Sequence, residues 1–206
     1  MQKRGLMVVG SGPAGSGKGT VNAELVKTGE FVYSVSATTR APRPGEVDGV
    51  NYYFITPDEF RARLERGDML EHTEYCGNFY GTPRREAEEV LNSGKNLILE
   101  IEVDGAMQVK RLFPEAILIM LLPPTFAEQE ARLRGRATET EEKILARLAQ
   151  AKNEVPLLPE YDYIVYNRDG GALACADDIR AIIRAERCTT RRNPKASEDY
   201  FRGSDQ

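Results

Sequence analysis

Histidine is almost missing from this chain of 206 residues, in which His72 stands alone. Catalysis by a histidine and its partner therefore has one candidate and no evident second member, and a structural role fits it better. Cysteine is nearly as scarce: Cys76, Cys175 and Cys188 lie far apart and form no CxxC pair. That excludes a zinc ribbon or a disulfide frame and points to a reducing, cytoplasmic setting. No apolar run approaches the roughly 20 residues of a membrane span. Met1-Gln2-Lys3-Arg4-Gly5 runs straight into the first apolar stretch, which leaves no room for a signal peptide. An excess of basic residues is also lacking, since 28 Lys and Arg face 32 acids for a net charge of −4. A nucleic-acid wrapper or a polybasic membrane binder is excluded on that ground. Internal repeats are absent, and so is the Asn-Lys-x-Asp with which a GTPase switch reads its base. The length suits one α/β core with small insertions, and the oligomeric state stays open.

What is present is Gly12-Pro13-Ala14-Gly15-Ser16-Gly17-Lys18-Gly19-Thr20. It follows the apolar run Leu6-Met7-Val8-Val9 and leads into Val21 to Val26, which has helical spacing. Strand, glycine-rich turn and helix form the context of a phosphate-binding loop. Glycines let successive backbone N–H groups curl around one anion, and the new helix adds its unpaired donors and positive dipole end. Lys18 reaches the outer phosphates as a point charge. Because Gly19 follows Lys18, the hydroxyl falls at Thr20, which makes Thr20 the metal candidate, directly or through water.

Further along, Phe31 to Ser36 reads as a strand, and Ala37 to Glu46, with two prolines and two arginines, as an irregular loop. Val50 to Ile55 reads as a short strand, and Thr56-Pro57-Asp58-Glu59 as a capped helix start running to Gly67. Met69 to Tyr75 and Asn78 to Gly81 read as strands, and Pro83 opens a helix ending at Ser93-Gly94. Strand and helix then alternate: Asn96 to Ile101, a helix over 104–113, Ala116 to Leu122, a helix from Phe126 to Leu133, a helix over 139–154, Asp162 to Tyr166, and Ala172 to Arg187. These expectations divide the chain into a phosphate-loop core (1–36 and 83–187), a small mixed α+β insertion (37–82) and an aperiodic, mobile tail (188–206). Arg40 and Arg43, three apart in the proline-stiffened loop, present planar forks suited to phosphate oxygens, and Tyr52 and Tyr80 offer hydroxyls to the same group.

The run from Ser34 to Glu46 resembles the signature of guanylate kinases, as do Gly49-Val50-Asn51-Tyr52-Tyr53-Phe54 and Gly77-Asn78-Phe79-Tyr80-Gly81-Thr82. Arg132-Leu133-Arg134-Gly135-Arg136 and Thr138-Glu139-Thr140 extend the resemblance, which covers about residues 5–187. It implies a three-layer α/β phosphate-loop fold: a five-stranded parallel core sheet, a GMP-binding insertion and a lid over about 134–142. It also implies transfer of the γ-phosphoryl group of ATP to GMP, and to dGMP with it, using Mg2+. By the same resemblance Arg40, Arg43, Tyr52 and Tyr80 bind the GMP phosphate, and Ser36, Glu71 and Thr82 face the guanine. Glu100 and Glu102 match positions that usually hold aspartate, contacting guanosine or metal-bound water. Arg132, Arg136 and Arg147 close over the phosphates, and Asn167 lies near the adenine. Phosphoryl transfer asks the protein for positioning and charge stabilisation more than covalent chemistry, so the lack of a histidine base is no obstacle.

Two other readings compete. Guanylate-kinase-like modules of scaffold proteins bind phosphopeptides without catalysis, but typically lack an intact phosphate loop. A kinase for another nucleoside monophosphate would share Gly-Lys-Gly-Thr but has no use for Ser36, Glu71 and Thr82 together.

Overall fold

The computed structural model of the chain describes residues 4–75, 77–135 and 140–202. Its centre is a parallel sheet of five strands. In chain order, β1 is Met7–Ser11, followed by α1 (Lys18–Val26) and β2 (Phe31–Tyr33). A second region follows: β3 (Ala37–Thr38), β4 (Tyr53–Phe54), α2 (Pro57–Glu65), β5 (Met69–Tyr75) and β6 (Asn78–Pro83). The chain returns to the core through α3 (Arg84–Asn92), β7 (Asn96–Glu100), α4 (Val103–Leu112) and β8 (Ile117–Leu122). Then come α5 (Phe126–Gly135), α6 (Glu141–Glu154), β9 (Tyr163–Tyr166) and α7 (Ala172–Arg187).

The core sheet runs β2-β7-β1-β8-β9, with Val9 opposite Leu99 on one side and Leu118 on the other. Its inner strands β1, β7 and β8 carry apolar runs because helices cover both faces, whereas the edge strands β2 and β9 expose Tyr33, Ile164 and Tyr166. Alternate residues divide between two cores. Val9, Leu99, Leu118 and Met120 pack with Leu91 of α3 and Val109 of α4, whereas Val8, Ile98, Ile117 and Ile119 meet Leu25 of α1 and Ile179 of α7. Each fully buried side chain of this kind contributes about 1.5–3 kcal/mol. Cys175 is buried in the second core, where burial pushes its thiol up to about 12 and makes it inert.

The other sheet, β4-β3-β6-β5, is mixed: β3 is parallel to β4 and antiparallel to β6. Phe60 of α2 is wholly buried beneath it and stacks on Phe79 at 5.4 Å. Thr56 starts α2 as its sequence suggests, its hydroxyl accepting from the Glu59 N–H at 3.2 Å. The two sheets meet where Gln108 of α4 exchanges hydrogen bonds with the backbone of His72, at 2.9 and 3.2 Å. The one histidine thus serves through its main chain.

Several elements differ from the sequence reading. The strand expected over Phe31 to Ser36 ends at Tyr33; Ser34 N–H still donates to Ile98 at 2.8 Å, and the chain then crosses to the second sheet, where Ala37 begins β3. The strand expected from Val50 shrinks to Tyr53–Phe54, because Asp48 and Asn51 side chains take the N–H groups of Phe54 and Val47, each at 2.8 Å, and build turns instead. α6 starts at Glu141 behind the cap Thr140; Glu139 lies outside the described residues. The segment expected to be an aperiodic tail forms a 3-10 turn (Thr190–Arg192) and a short helix, α8 (Ala196–Phe201). Arg192 ties the turn down, donating to Glu186 at 2.9 Å and to the Glu115 carbonyl at 2.7 Å. Those contacts are tertiary, so no local periodicity announces them.

Candidate active site

The loop between β1 and α1 is held open by backbone geometry and by braces from far along the chain. Gly17 has φ +88°, and a Cβ there would lie 2.3 Å from Asn167 Nδ2, so both conformation and space demand glycine. That Asn167 amide donates to the Ser16 carbonyl at 2.8 Å, and Gln129 Nε2 of α5 donates to the Ala14 carbonyl at 3.0 Å. Both braces use up carbonyl oxygens, and within the loop itself the Ser16 N–H donates to the Pro13 carbonyl at 3.1 Å. Ser16 Oγ is buried with no hydrogen-bond partner among the described residues. Lys18 is folded back, its Nζ donating to the Gly12 carbonyl at 2.6 Å. Gly19 and Thr20 begin the exposed side of α1.

Beside Lys18 opens a cavity of about 310 Å3. It gathers seven residues singled out from the sequence, namely Lys18, Ser36, Tyr52, Glu71, Tyr80, Glu100 and Glu102. Glu71 lies at its buried end, 4 % exposed, and burial holds its carboxyl above the usual carboxylate range. Thr82 differs from expectation. It does not face the cavity but is wholly buried, donating its hydroxyl to Glu71 Oε1 at 2.7 Å. The register of β5 against β6 pairs Glu71 with Thr82, which turns the threonine into the carboxylate's support. Gly105 on α4 matters here too, because a Cβ would approach Glu71 Oε2 to 2.9 Å. Glu100, at the carboxyl end of β7, accepts from Asn22 Nδ2 of α1 at 2.7 Å and from the Tyr33 hydroxyl at 3.3 Å. Ligands of open α/β sheets sit at this end of the strands. Behind Glu102, at the start of α4, lies Glu154 of α6, whose carboxyl is raised by burial and then by Glu102 itself.

The arginines are distributed less simply. Arg40 Nη1 and Nη2 form a two-pronged pair with Glu46 at 3.0 and 2.9 Å, and its guanidinium lies 5.5 Å from the Tyr52 ring centre. Glu46 also accepts from the Arg43 backbone N–H at 2.7 Å, while the Arg43 residue is exposed outside the cavity wall. These hydrogen bonds, the Arg40 side chain first, hold Glu46 below the usual carboxylate range. Arg132 of α5 donates to Asp169 Oδ1 and to the Asn167 carbonyl, both at 2.8 Å from Nη2. Arg147 is exposed on α6. Arg136 lies outside the described residues, as do the other residues of the expected lid from 137 to 139. Asn167 is turned towards the loop, 6 % exposed, and braces it.

Asn22, Gly105, Gln129 and Glu154 escape the sequence reading. A signal existed for Asn22 alone: it stands one helical turn beyond Lys18 and so shares its face of α1. The others depend on elements that meet only in the folded chain.

The family model described as guanylate kinase matches residues 3–178. The chain is 52 % identical to a guanylate kinase of Halalkalibacterium halodurans over 192 residues, covering 93 % of each. To one of Desulfitobacterium hafniense it is 46 % identical over 194 residues, covering 94 % of this chain and 96 % of the relative. A crystal structure of guanylate kinase from Anaplasma phagocytophilum superposes with a TM-score of 0.72 at 33 % identity, covering 93 % of this chain and 90 % of that one. Sequence match and fold agree, and the chain belongs to the guanylate kinase family.

Proposed function

We propose that this member of the guanylate kinase family transfers the γ-phosphoryl group of ATP to GMP across the space between Lys18 and the cavity beside it. The observation that carries the reading is the cavity itself, lined both by the loop lysine and by the buried Glu71. In this assignment Gly12 to Thr20 hold the donor phosphates through backbone N–H groups, and Lys18 leaves the Gly12 carbonyl to reach the transferring phosphoryl group. Asn167 serves ATP indirectly, as a brace of the loop. Arg132 supplies charge from α5, with Arg147 beyond it on α6. Ser36 and Glu71 read guanine, since a carboxylate accepts from both N1–H and the 2-amino group, a donor edge that adenine lacks. Thr82 supports Glu71 from behind. Tyr52, Tyr80 and Arg40 take the acceptor phosphate, which exchanges with Glu46 on the Arg40 fork, and Arg43 approaches from the loop. Glu102 and Glu100 face the nucleoside side.

Mg2+ takes oxygen ligands and keeps several waters. No group of three or more His, Cys, Asp or Glu among the described residues could hold a metal unaided. The ion then fits as part of the nucleotide complex, held by the phosphates, with Thr20 contributing directly or through water; its chemistry there is charge neutralisation.

We further propose that residues 37–82 act as the acceptor module, a reading supported by their separate mixed sheet. No described helix is long and apolar enough to cross a membrane, and a cytoplasmic site of action goes with that and with free cysteines. The test is an ADP-release assay with GMP, AMP, UMP and CMP as acceptors. GMP should exceed the others by at least about 10³-fold in kcat/KM. Equal turnover of AMP, or no turnover of any acceptor with the nucleotides still bound, would overturn it.

A further inference from the structure

Glu100 sits on the cavity wall with Lys18, and nothing in the reaction explains why the two do not simply pair. A carboxylate and an ammonium on one wall attract strongly where water is partly excluded. In the structure they stay apart. Lys18 Nζ is taken by the Gly12 carbonyl at 2.6 Å, and Glu100 Oε2 is taken twice, by Asn22 Nδ2 at 2.7 Å and by the Tyr33 hydroxyl at 3.3 Å. Both donors reach the same oxygen, so Oε1 is left to the cavity.

Asn22 is placed for this by its position rather than by its chemistry alone. It lies four residues after Lys18, on the same face of α1, and is 8 % exposed. An amide is a neutral donor that can hold a carboxylate without neutralising it. A buried amide with a single short partner also loses more when that partner leaves than an exposed one does. Tyr33 approaches from β2, the neighbour of β7 in the sheet, where Tyr33 stands opposite Ile98, two residues before Glu100. Partial burial, then the charge of Glu100, raise the Tyr33 hydroxyl above the usual phenol range and keep it donating.

We infer that Asn22, assisted by Tyr33, is a positioning residue that clamps one oxygen of Glu100. The clamp keeps the carboxylate off Lys18 and presents its other oxygen to the acceptor nucleotide. This rests on the assignment of the cavity as the acceptor site. It also ties the helix that follows the phosphate loop to a residue of the acceptor wall, so the two substrates are set in register by one hydrogen bond across α1 and β7. The longer reach of glutamate, where the family usually has aspartate, becomes intelligible: the added methylene lets Oε2 sit back against α1.

The experiment is a double-mutant cycle on the full chain, with Asn22→Ala, Glu100→Gln and the double variant, reading kcat and KM for GMP and for ATP. Asn22→Ala should lower kcat/KM for GMP about tenfold in the wild-type background, and less than about twofold in Glu100→Gln. Asn22→Asp, which sets one acid against another, should be worse than Asn22→Ala. Tyr33→Phe, at a half-exposed position that tolerates change, should lose about two- to threefold with the same dependence on Glu100, so the test survives if Asn22 variants fail to fold. Equal losses in both backgrounds, with Glu100→Gln itself impaired, would overturn the clamp and leave the acceptor site standing. Full GMP activity in Glu100→Gln would overturn the assignment of Glu100 and the clamp with it.

Discussion

The loop of residues 12–17 is one turn of consecutive residues, braced at the Ala14 and Ser16 carbonyls by Gln129 and Asn167, whereas the cavity beside it is walled by side chains from both sheets, α1 and α4. The loop needs only a strand, a few glycines and a helix start in sequence, so its chemistry is written in consecutive residues. The cavity needs Glu71 from β5, Tyr80 from β6, Glu100 from β7 and room made by Gly105 on α4. Its chemistry exists only when the elements meet. The difference teaches that damage to the loop should abolish the reaction for every acceptor, and damage to the cavity should change which acceptor is used.

Lys18→Ala gives the largest expected effect. Removing this cation, which belongs to the loop and lines the cavity, should cut kcat by on the order of 10²–10³-fold with every acceptor, while the melting temperature moves little. Retention of more than about a tenth of wild-type turnover in a steady-state assay would break the comparison at the loop side. Next is Glu71→Gln. It should lower kcat/KM for GMP about 10²-fold and shrink the preference over AMP, because an amide can donate to adenine N1. An unchanged GMP/AMP ratio would mean that the base is read elsewhere. Arg40→Lys keeps the charge but loses the fork that now holds Glu46. The expected result is a roughly tenfold rise in KM for GMP, with ATP affinity by calorimetry unchanged. An equal loss for ATP would assign Arg40 to the donor side.

Asn167→Ala removes a brace from the loop and should weaken ATP binding severalfold, at a cost of about 1 kcal/mol in stability, with the GMP/AMP ratio intact. A changed ratio would blur the division between the regions. The smallest effect concerns pH. Burial raises the Glu71 carboxyl, so the folded chain retains a proton that the unfolded chain has already lost. Its contribution to stability is therefore fully present below the unfolded pKa and falls as pH rises through the folded one. Glu71→Gln, which does not titrate, should be more stable than wild type at neutral pH by on the order of 1 kcal/mol. That advantage should shrink as the pH is lowered toward the ordinary carboxylate range, as followed by denaturant unfolding.

The core strands and the helices were legible because each carries its own pattern: apolar runs for strands buried on both faces, helical spacing and caps such as Thr56 for helices. Less legible were the places where side chains compete for the backbone. Asp48 and Asn51 shortened β4, and Ser34 carried the chain from one sheet to the other. The residues around the cavity could be named from the resemblance to guanylate kinases, but not their contacts. Thr82 and Glu71 are eleven residues apart and become a bonded pair only through the β5–β6 register. Asn22 and Glu100, 78 apart, meet only because α1 packs over β7.

Local sequence alone specified the glycine-rich loop, the alternation of strand and helix and the tyrosines and acids that come to line the cavity. Each of these depends on near neighbours, whose spacing sets the backbone path and the face on which a side chain stands. The tertiary structure alone decided which oxygen of Glu100 is held, that Thr82 stands behind Glu71 and that Arg192 ties the turn at Thr190–Arg192 to the Glu115 carbonyl. Those outcomes turn on hydrogen bonds and burial between segments distant in the chain, and a carboxylate's duty is set by the donors and the dielectric that surround it.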